Sequence, residues 1–387
     1  MDNIIYLDHQ ASTPLAPGVL DKMLPFLEGN SANPHSSHLL GMLSQRAIEE
    51  ARHAIADLFN VDGSEIYFTS GATEANNLAI KGVFQATQSA SFITCTTEHK
   101  CVLATARHIE SQGHSVVYVG VDNNGYVDVD DLECKIAENK PKLLSLMFSN
   151  NEIGTIQDIR TISKLCGRYG VLLHSDMSQA ITHSDISLRE LGVNLASISA
   201  HKMNGPKGIG AIYISHETKD QIGPIIHGGG QEFGMRSGTL PTPLCVGFGE
   251  AARHWRSNGQ KLRTELALLR NELWRNLKRA LPESRLIGPN IEDRHVSNLN
   301  IHVPGVDAEM LLGTLSSEIA ASTGSACTSG IPEPSHVVKA VDSEAASDGT
   351  VRLSVGVGLN TDAILRAANL IGDAVRQRLT VGTGVGY

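Results

Sequence analysis

Between about residue 60 and residue 215, seven short runs rich in apolar and β-branched residues alternate with amphipathic stretches: EIYFTS, ASFITC, SVVYVG, LLSLMFS, VLLHSD, LASISA and GAIYIS. This rhythm predicts βα units and a mostly parallel sheet, hence an α/β fold. The runs are almost continuously apolar, as expected of strands covered by helices on both faces. In such a sheet the chemistry belongs beyond the strand ends, so the residues that follow each run are the ones to inspect.

Near Glu250 the texture changes. AARHWRSNGQKLRTELALLRNELWRNLKRAL is charged but keeps helical apolar spacing, and Pro282 is followed by a new pattern that includes VSNLNIHV and VRLSVGV. We read a hinge helix leading into a smaller α+β domain. The expected organisation is a large domain over 13–255 and a small domain made of 1–12 together with 256–387. The closing TVGTGVGY reads as a frayed, glycine-rich tail.

The 387 residues carry a formal charge of -9, from 32 Lys and Arg against 41 Asp and Glu, with the two signs interspersed. No basic tract offers a footprint for a phosphate backbone, so direct nucleic-acid binding is not expected. MDNIIYLDHQASTP has early acids and no long apolar run, which reads as neither signal peptide nor membrane span and makes the cytoplasm the expected compartment. Cys95, Cys101, Cys134, Cys166, Cys245 and Cys327 form no CxxC pair and no zinc-type spacing, so neither a disulfide framework nor a metal is expected.

The most specific segment is SISAHKMNGPKGIGAIYIS, in which a strand runs into Ser199-Ala200-His201-Lys202. A lysine there, hemmed by small residues, suits a Schiff base to an aldehyde cofactor, because burial lowers its pKa and the small neighbours leave room for a planar ring. Lys207, in the following turn, reads instead as a surface lysine. Pyridoxal phosphate needs a carboxylate against its pyridinium nitrogen. Asp176 in VLLHSDMSQ supplies one, with Gln179 a short turn further on, although a strand-end aspartate on its own is more often a helix cap. The turn Ser70-Gly71-Ala72-Thr73 before a helix offers a phosphate cradle, and equally a capping signal.

SGATEANN, TEHKCVL, NNEIGTIQDI, HSDMSQA, SAHKMNGPKGIGA, HGGGQEFGMRSGTLP and TGSACTSG stand in this order along nearly the whole chain. The chain thereby resembles the NifS/IscS-type cysteine desulfurases, in the class V aminotransferase-like group of fold type I pyridoxal-phosphate enzymes. The resemblance implies that Lys202 anchors the cofactor, Asp176 pairs with the pyridinium nitrogen and Gln179 contacts the ring oxygen. It implies that His99 stacks on the ring and helps to move protons, and that Ala72, Thr73, Ser199 and His201 hold the phosphate. Asn151 would help to position substrate and ring, and Arg352 would bind the carboxylate of L-cysteine. Thr239 would reach the phosphate of a neighbouring subunit, which makes a homodimer part of the site. For His99 the competing reading is a satisfied core histidine, and for Arg352 a structural ion pair.

Cys327 lies in ASTGSACTSG, small and polar residues that cannot pack a core and should form a mobile loop. The other five cysteines read as core thiols. The resemblance makes Cys327 the nucleophile that receives sulfur as a persulfide, with L-alanine released, and the surrounding ACTSGIPEPSHVVKA resembles the branch that passes sulfur to a separate acceptor protein. SVGVGLNTDAI after Arg352 and the ending after RQRLTVGTGVGY depart from the housekeeping iron-sulfur members. These departures leave two supply roles open, DNA phosphorothioation of the DndA type and iron-sulfur or tRNA thiolation. Two rival readings also stand, a selenocysteine lyase or aminotransferase and a non-catalytic sulfur-relay scaffold.

Overall fold

The computed structural model describes residues 4–382, apart from 86, 88 and 324–333. β1 (Ile5–Tyr6) precedes the large sheet, which contains β2 (Ile66–Thr69), β3 (Ser91–Cys95), β4 (Ser115–Val119), β5 (Leu143–Ser145), β6 (Leu172–Asp176), β7 (Leu195–Ser199) and β8 (Gly210–Ile214). Each of the seven apolar runs forms one of these strands. Their spatial order is β2-β8-β7-β6-β5-β3-β4. Strands β3 to β7 pair in parallel, whereas β8 runs antiparallel to both β7 and β2.

The continuous apolar character of the runs follows from cover on both faces. Phe92, Leu143, Leu195 and Ile212 point to a core shared with Leu78, Val83 and Val102 of the overlying helices. Their neighbours Ile93, Leu144, Ala196 and Ala211 point to the opposite core, with Ile55, Phe59, Leu173 and Phe248. β4 lies at the sheet edge and is the most exposed of the seven strands.

The smaller part is an antiparallel sheet in the order β12-β13-β10-β9, built from β9 (Arg285–Leu286), β10 (Asn298–His302), β12 (Ser322–Thr323) and β13 (Val351–Ser354). β11 (Ile319–Ala320) pairs in parallel with β1, and Asp8 bridges to Ser354, so the start of the chain lies against its C-terminal third. The charged segment near Glu250 belongs to one unbroken helix, Thr242–Ala280, which runs straight through position 255. Trp255, buried midway along it, donates its indole N–H to the Met203 carbonyl at 3.0 Å and so ties this helix to the turn after Lys202. Among the described residues, no helix is long and apolar enough to cross a membrane.

Candidate active site

The ends of the parallel strands open into one cavity of about 450 Å³. Ala72, Thr73, His99, Asn151, Asp176, Gln179, Ser199, His201 and Lys202 all line it. Residues separated by up to 130 positions are thus brought together by five strand ends, as the sheet topology requires.

Lys202 follows β7 on a short 3-10 turn and donates its amine to the backbone carbonyls of Gln10 and Ala11, the latter at 2.9 Å. Asp176, the last residue of β6, is 7% exposed. Its Oδ1 accepts the Ser178 N–H at 2.9 Å and its Oδ2 accepts Asn76 Nδ2 at 2.8 Å. The Gln179 side chain donates to the same Gln10 carbonyl at 3.0 Å that Lys202 uses. His99 caps the helix Lys100–Ser111, its Nδ1 accepting the Cys101 N–H at 3.2 Å. Burial holds its imidazole below the usual histidine range; Asp176 opposes that shift and Lys202 adds to it. Burial likewise pushes His201 down to about 4, helped by Lys202 and Lys207.

The helix Ala72–Phe84 begins on the cavity wall after Gly71, which has no side chain to cap it, so its first N–H groups are presented to whatever occupies the cavity. Gly71 sits at φ 154, and Gly210 faces it so closely that a Cβ on Gly210 would stand 2.7 Å from the Gly71 Cα. Glycine at both positions is what lets the turn approach β8. Arg236 clamps the same helix from outside, reaching the Glu74 carboxylate at 2.8 and 3.2 Å.

Three expected site residues stand apart. Thr239 is exposed and does not line this cavity. Arg352 is 2% exposed, pairs with Asp8 at 2.7 Å and donates to the Asn151 carbonyl at 3.2 Å, while its Nε has no partner among the described residues. In this arrangement its guanidinium is engaged by Asp8. Cys327, with Thr328, Ser329 and Gly330, lies outside the described residues. The flanking residues do not: Ser322 pairs with Arg352 across β12 and β13. On the other side Ser335 hydrogen-bonds the Glu152 carboxylate, and His336 reaches the Glu98 carbonyl at 3.0 Å.

Of the cysteine expectations, one needs an addition and one a correction. Cys101 packs against the core as expected but also lines the cavity, because the first turn of its helix faces the strand ends; its Sγ lies 3.0 Å from His99 Nδ1. Cys134 is exposed on the helix Val129–Asn139, whose buried stripe is carried by Leu132 and Ile136. Cys95, Cys166 and Cys245 are buried as expected. Lys207 is exposed in its turn, as read, but that turn forms the cavity rim. Glu98, which nothing in TEHK marks out, is fully buried beside His99 and accepts the Met147 N–H at 2.6 Å; burial raises its pKa well above the carboxylate range. Asn76 and Gln10 have no such signal either, since an amide in a helix or an N-terminal turn is common without a role. Among the described residues, Asp62, Glu65 and His216 could approach a metal ion, but both carboxylates already pair with Arg189, at 3.2 and 3.5 Å.

A lysine, a buried carboxylate, an imidazole and an uncapped helix N-terminus around one cavity are the donor set of a pyridoxal-phosphate enzyme on a mostly parallel sheet, and the residues fit that cofactor. The class-V aminotransferase family model matches residues 5–365. The cysteine desulfurase IscS of Rickettsia massiliae is 41% identical over 371 residues, covering 95% of this chain and 90% of that protein. IscS of Ehrlichia chaffeensis is 41% identical over 378 residues, covering 96% and 91%. Among solved structures, a NifS-like protein has a TM-score of 0.89 at 32% identity, covering 97% of this chain and all of that one. SspA, solved in complex with cysteine, has a TM-score of 0.79 at 35% identity, covering 91% and 98%. The chain belongs to the class-V aminotransferase family and, within it, to the pyridoxal-phosphate-dependent cysteine desulfurases of the IscS and NifS type.

Proposed function

We propose that the protein converts L-cysteine to L-alanine and carries the sulfur away on Cys327. One thiol is consumed and one persulfide formed: the C–S bond of cysteine breaks, a sulfur–sulfur bond forms at Cys327, and the substrate carbon gains a proton. A separate acceptor protein then takes the terminal sulfur by thiol exchange. Cysteine as substrate is supported by the similar SspA, which was solved with cysteine bound.

Bound pyridoxal phosphate supplies the electron sink that lets the substrate Cα–H bond and then the C–S bond be broken. Lys202 would anchor it and carry the α-proton on Nζ. Asp176 would keep the pyridinium nitrogen protonated, which its buried position among hydrogen-bond donors suits. Gln179 would face the ring oxygen, and His99, neutral through burial, would lie on the ring face and exchange protons. Ala72, Thr73, Ser199 and His201 would hold the phosphate at the uncapped helix end.

Asn151 would orient the substrate. Arg352 would exchange Asp8 for the substrate carboxylate, a role its bidentate fork suits once Asp8 gives way. Thr239 would complete the phosphate site of a second subunit. An exposed apolar stretch on one helix, Leu39, Leu40, Met42 and Leu43, supports such a homodimer.

The observation that carries the role of Cys327 is the anchoring of its flanks. Thr323 follows a residue paired with Arg352, and Ser335 and His336 hold the segments of Asn151 and His99. Replacing Cys327 by Ala should lower steady-state desulfuration by at least about 100-fold while bound-cofactor absorbance persists, because the loss falls on the covalent step. Full turnover by that variant would sink the persulfide route.

A further inference from the structure

Asn76, on the helix Ala72–Phe84, has one amide nitrogen with two hydrogens and two acceptors in reach: Asp176 Oδ2 at 2.8 Å and Cys101 Sγ at 3.2 Å. The Thr73 hydroxyl also hydrogen-bonds this sulfur. With donors arriving from Asn76 and Thr73, the Cys101 S–H has one remaining direction, towards His99 Nδ1 at 3.0 Å. The Cys101 backbone N–H reaches the same nitrogen at 3.2 Å. Two donors therefore converge on one ring nitrogen, and a neutral imidazole that accepts at Nδ1 carries its proton on Nε2.

We propose that Cys101 and Asn76 are positioning residues for the reaction, fixing His99 as the Nε2–H tautomer and coupling it to Asp176 through the chain Asp176, Asn76, Cys101, His99. This rests on the reading of His99 as the imidazole over the cofactor ring. The sulfur is a thiol throughout: burial, Asp176 and Glu98 raise its pKa to about 12, against the hydrogen bonds from Asn76 and Thr73. A thiol so held gives a directed hydrogen bond and no nucleophile, which separates its role from that of Cys327. The charged and titratable groups facing His99 are Asp176, Lys202, His336 and Lys100. The donors described at Nδ1 are the two that Cys101 supplies, its backbone N–H and its thiol.

The test uses the holoenzyme and its Cys101→Ala and Cys101→Ser variants, reading the pH dependence of the bound-cofactor absorbance without substrate and the pH profile of kcat. Losing one donor to Nδ1 makes the imidazolium easier to form. In Cys101→Ala the acidic limb should therefore move up by about half a pH unit to one unit, and kcat should fall about five-fold. Cys101→Ser, which keeps a donor, should return both towards the parent. Unmoved limbs in Cys101→Ala would overturn the proposal.

If that variant does not fold, nitrogen-15 spectra of the histidine-labelled parent, with His99 assigned by His99→Gln, decide the matter. A protonated Nε2 supports the proposal and a protonated Nδ1 overturns it. His99→Gln also separates the two levels. An inactive His99→Gln beside an unmoved Cys101→Ala removes only the positioning role, whereas a fully active His99→Gln removes the reading beneath it.

Discussion

Burial at single residues decides how the protein responds to acid. Burial pushes the imidazoles of His9, His174 and His183 down to about 4 and that of His295 to about 3. In the unfolded chain these groups bind protons from about pH 6.5 downward, while the native protein does not. Their contribution is therefore complete above pH 6.5 and drains away as pH falls towards 4. Glu98 and Glu152, both raised by burial and Glu152 to about 7, act in the opposite sense, but they are two carboxyls against five imidazoles once His201 is included. Urea midpoints of the holoenzyme should fall steadily between pH 7 and pH 5. A flat or rising midpoint over that range would contradict the neutral state of these histidines. Residue roles were unevenly legible in the sequence: a lysine or aspartate at a strand end announces itself, but Cys101 sits in an apolar-looking HKCVL and only the helix turn shows that it faces the cavity.

At the scale of elements, the segment 227–239 is held by the Arg236–Glu74 pair and by a more deeply buried ion pair. Arg52 makes a bidentate contact with Glu232, at 2.7 and 2.8 Å, with side chains 3% and 1% exposed, and Glu232 also accepts the Phe68 N–H at 2.5 Å. The pair fixes the start of a turn that passes through left-handed Phe233 to Arg236 and Thr239. Replacing Glu232 by Ala leaves the buried Arg52 guanidinium with only the partly exposed Glu49 and the Ile66 carbonyl, so stability should drop by about 3 kcal/mol in urea unfolding. A loss under about 1 kcal/mol would mean that the pair does not hold the turn. Nothing in HGGGQEFGMRSG reveals a partner 180 residues earlier, and Asp8 with Arg352, 344 residues apart, was equally hidden. The strands were legible because burial on both faces leaves a continuous apolar run. The reversal of β8 was not, since such a run reads the same in either direction.

For the whole molecule, the sheet brings the residues expected to hold the cofactor to one edge, and the N-terminal segment and small sheet close over it. Gln10 shows the closure: its carbonyl receives both Lys202 and Gln179, and its side chain receives Asn298 of β10 at 2.6 Å. The alternation of strands and helices and the change of texture near Glu250 made this architecture readable in outline. The closure itself was not readable, because it depends on polar contacts between distant segments.

Sulfur that leaves L-cysteine should land on Cys327, and mass spectrometry reads that transfer. The holoenzyme is incubated with L-cysteine, quenched by a thiol-blocking reagent and digested, with alanine quantified in parallel. One persulfide on the peptide containing Cys327, with alanine released in equal amount, is the expected result. Alanine and free sulfide without any persulfide at Cys327, or a persulfide on Cys101 or Cys134 instead, would contradict it.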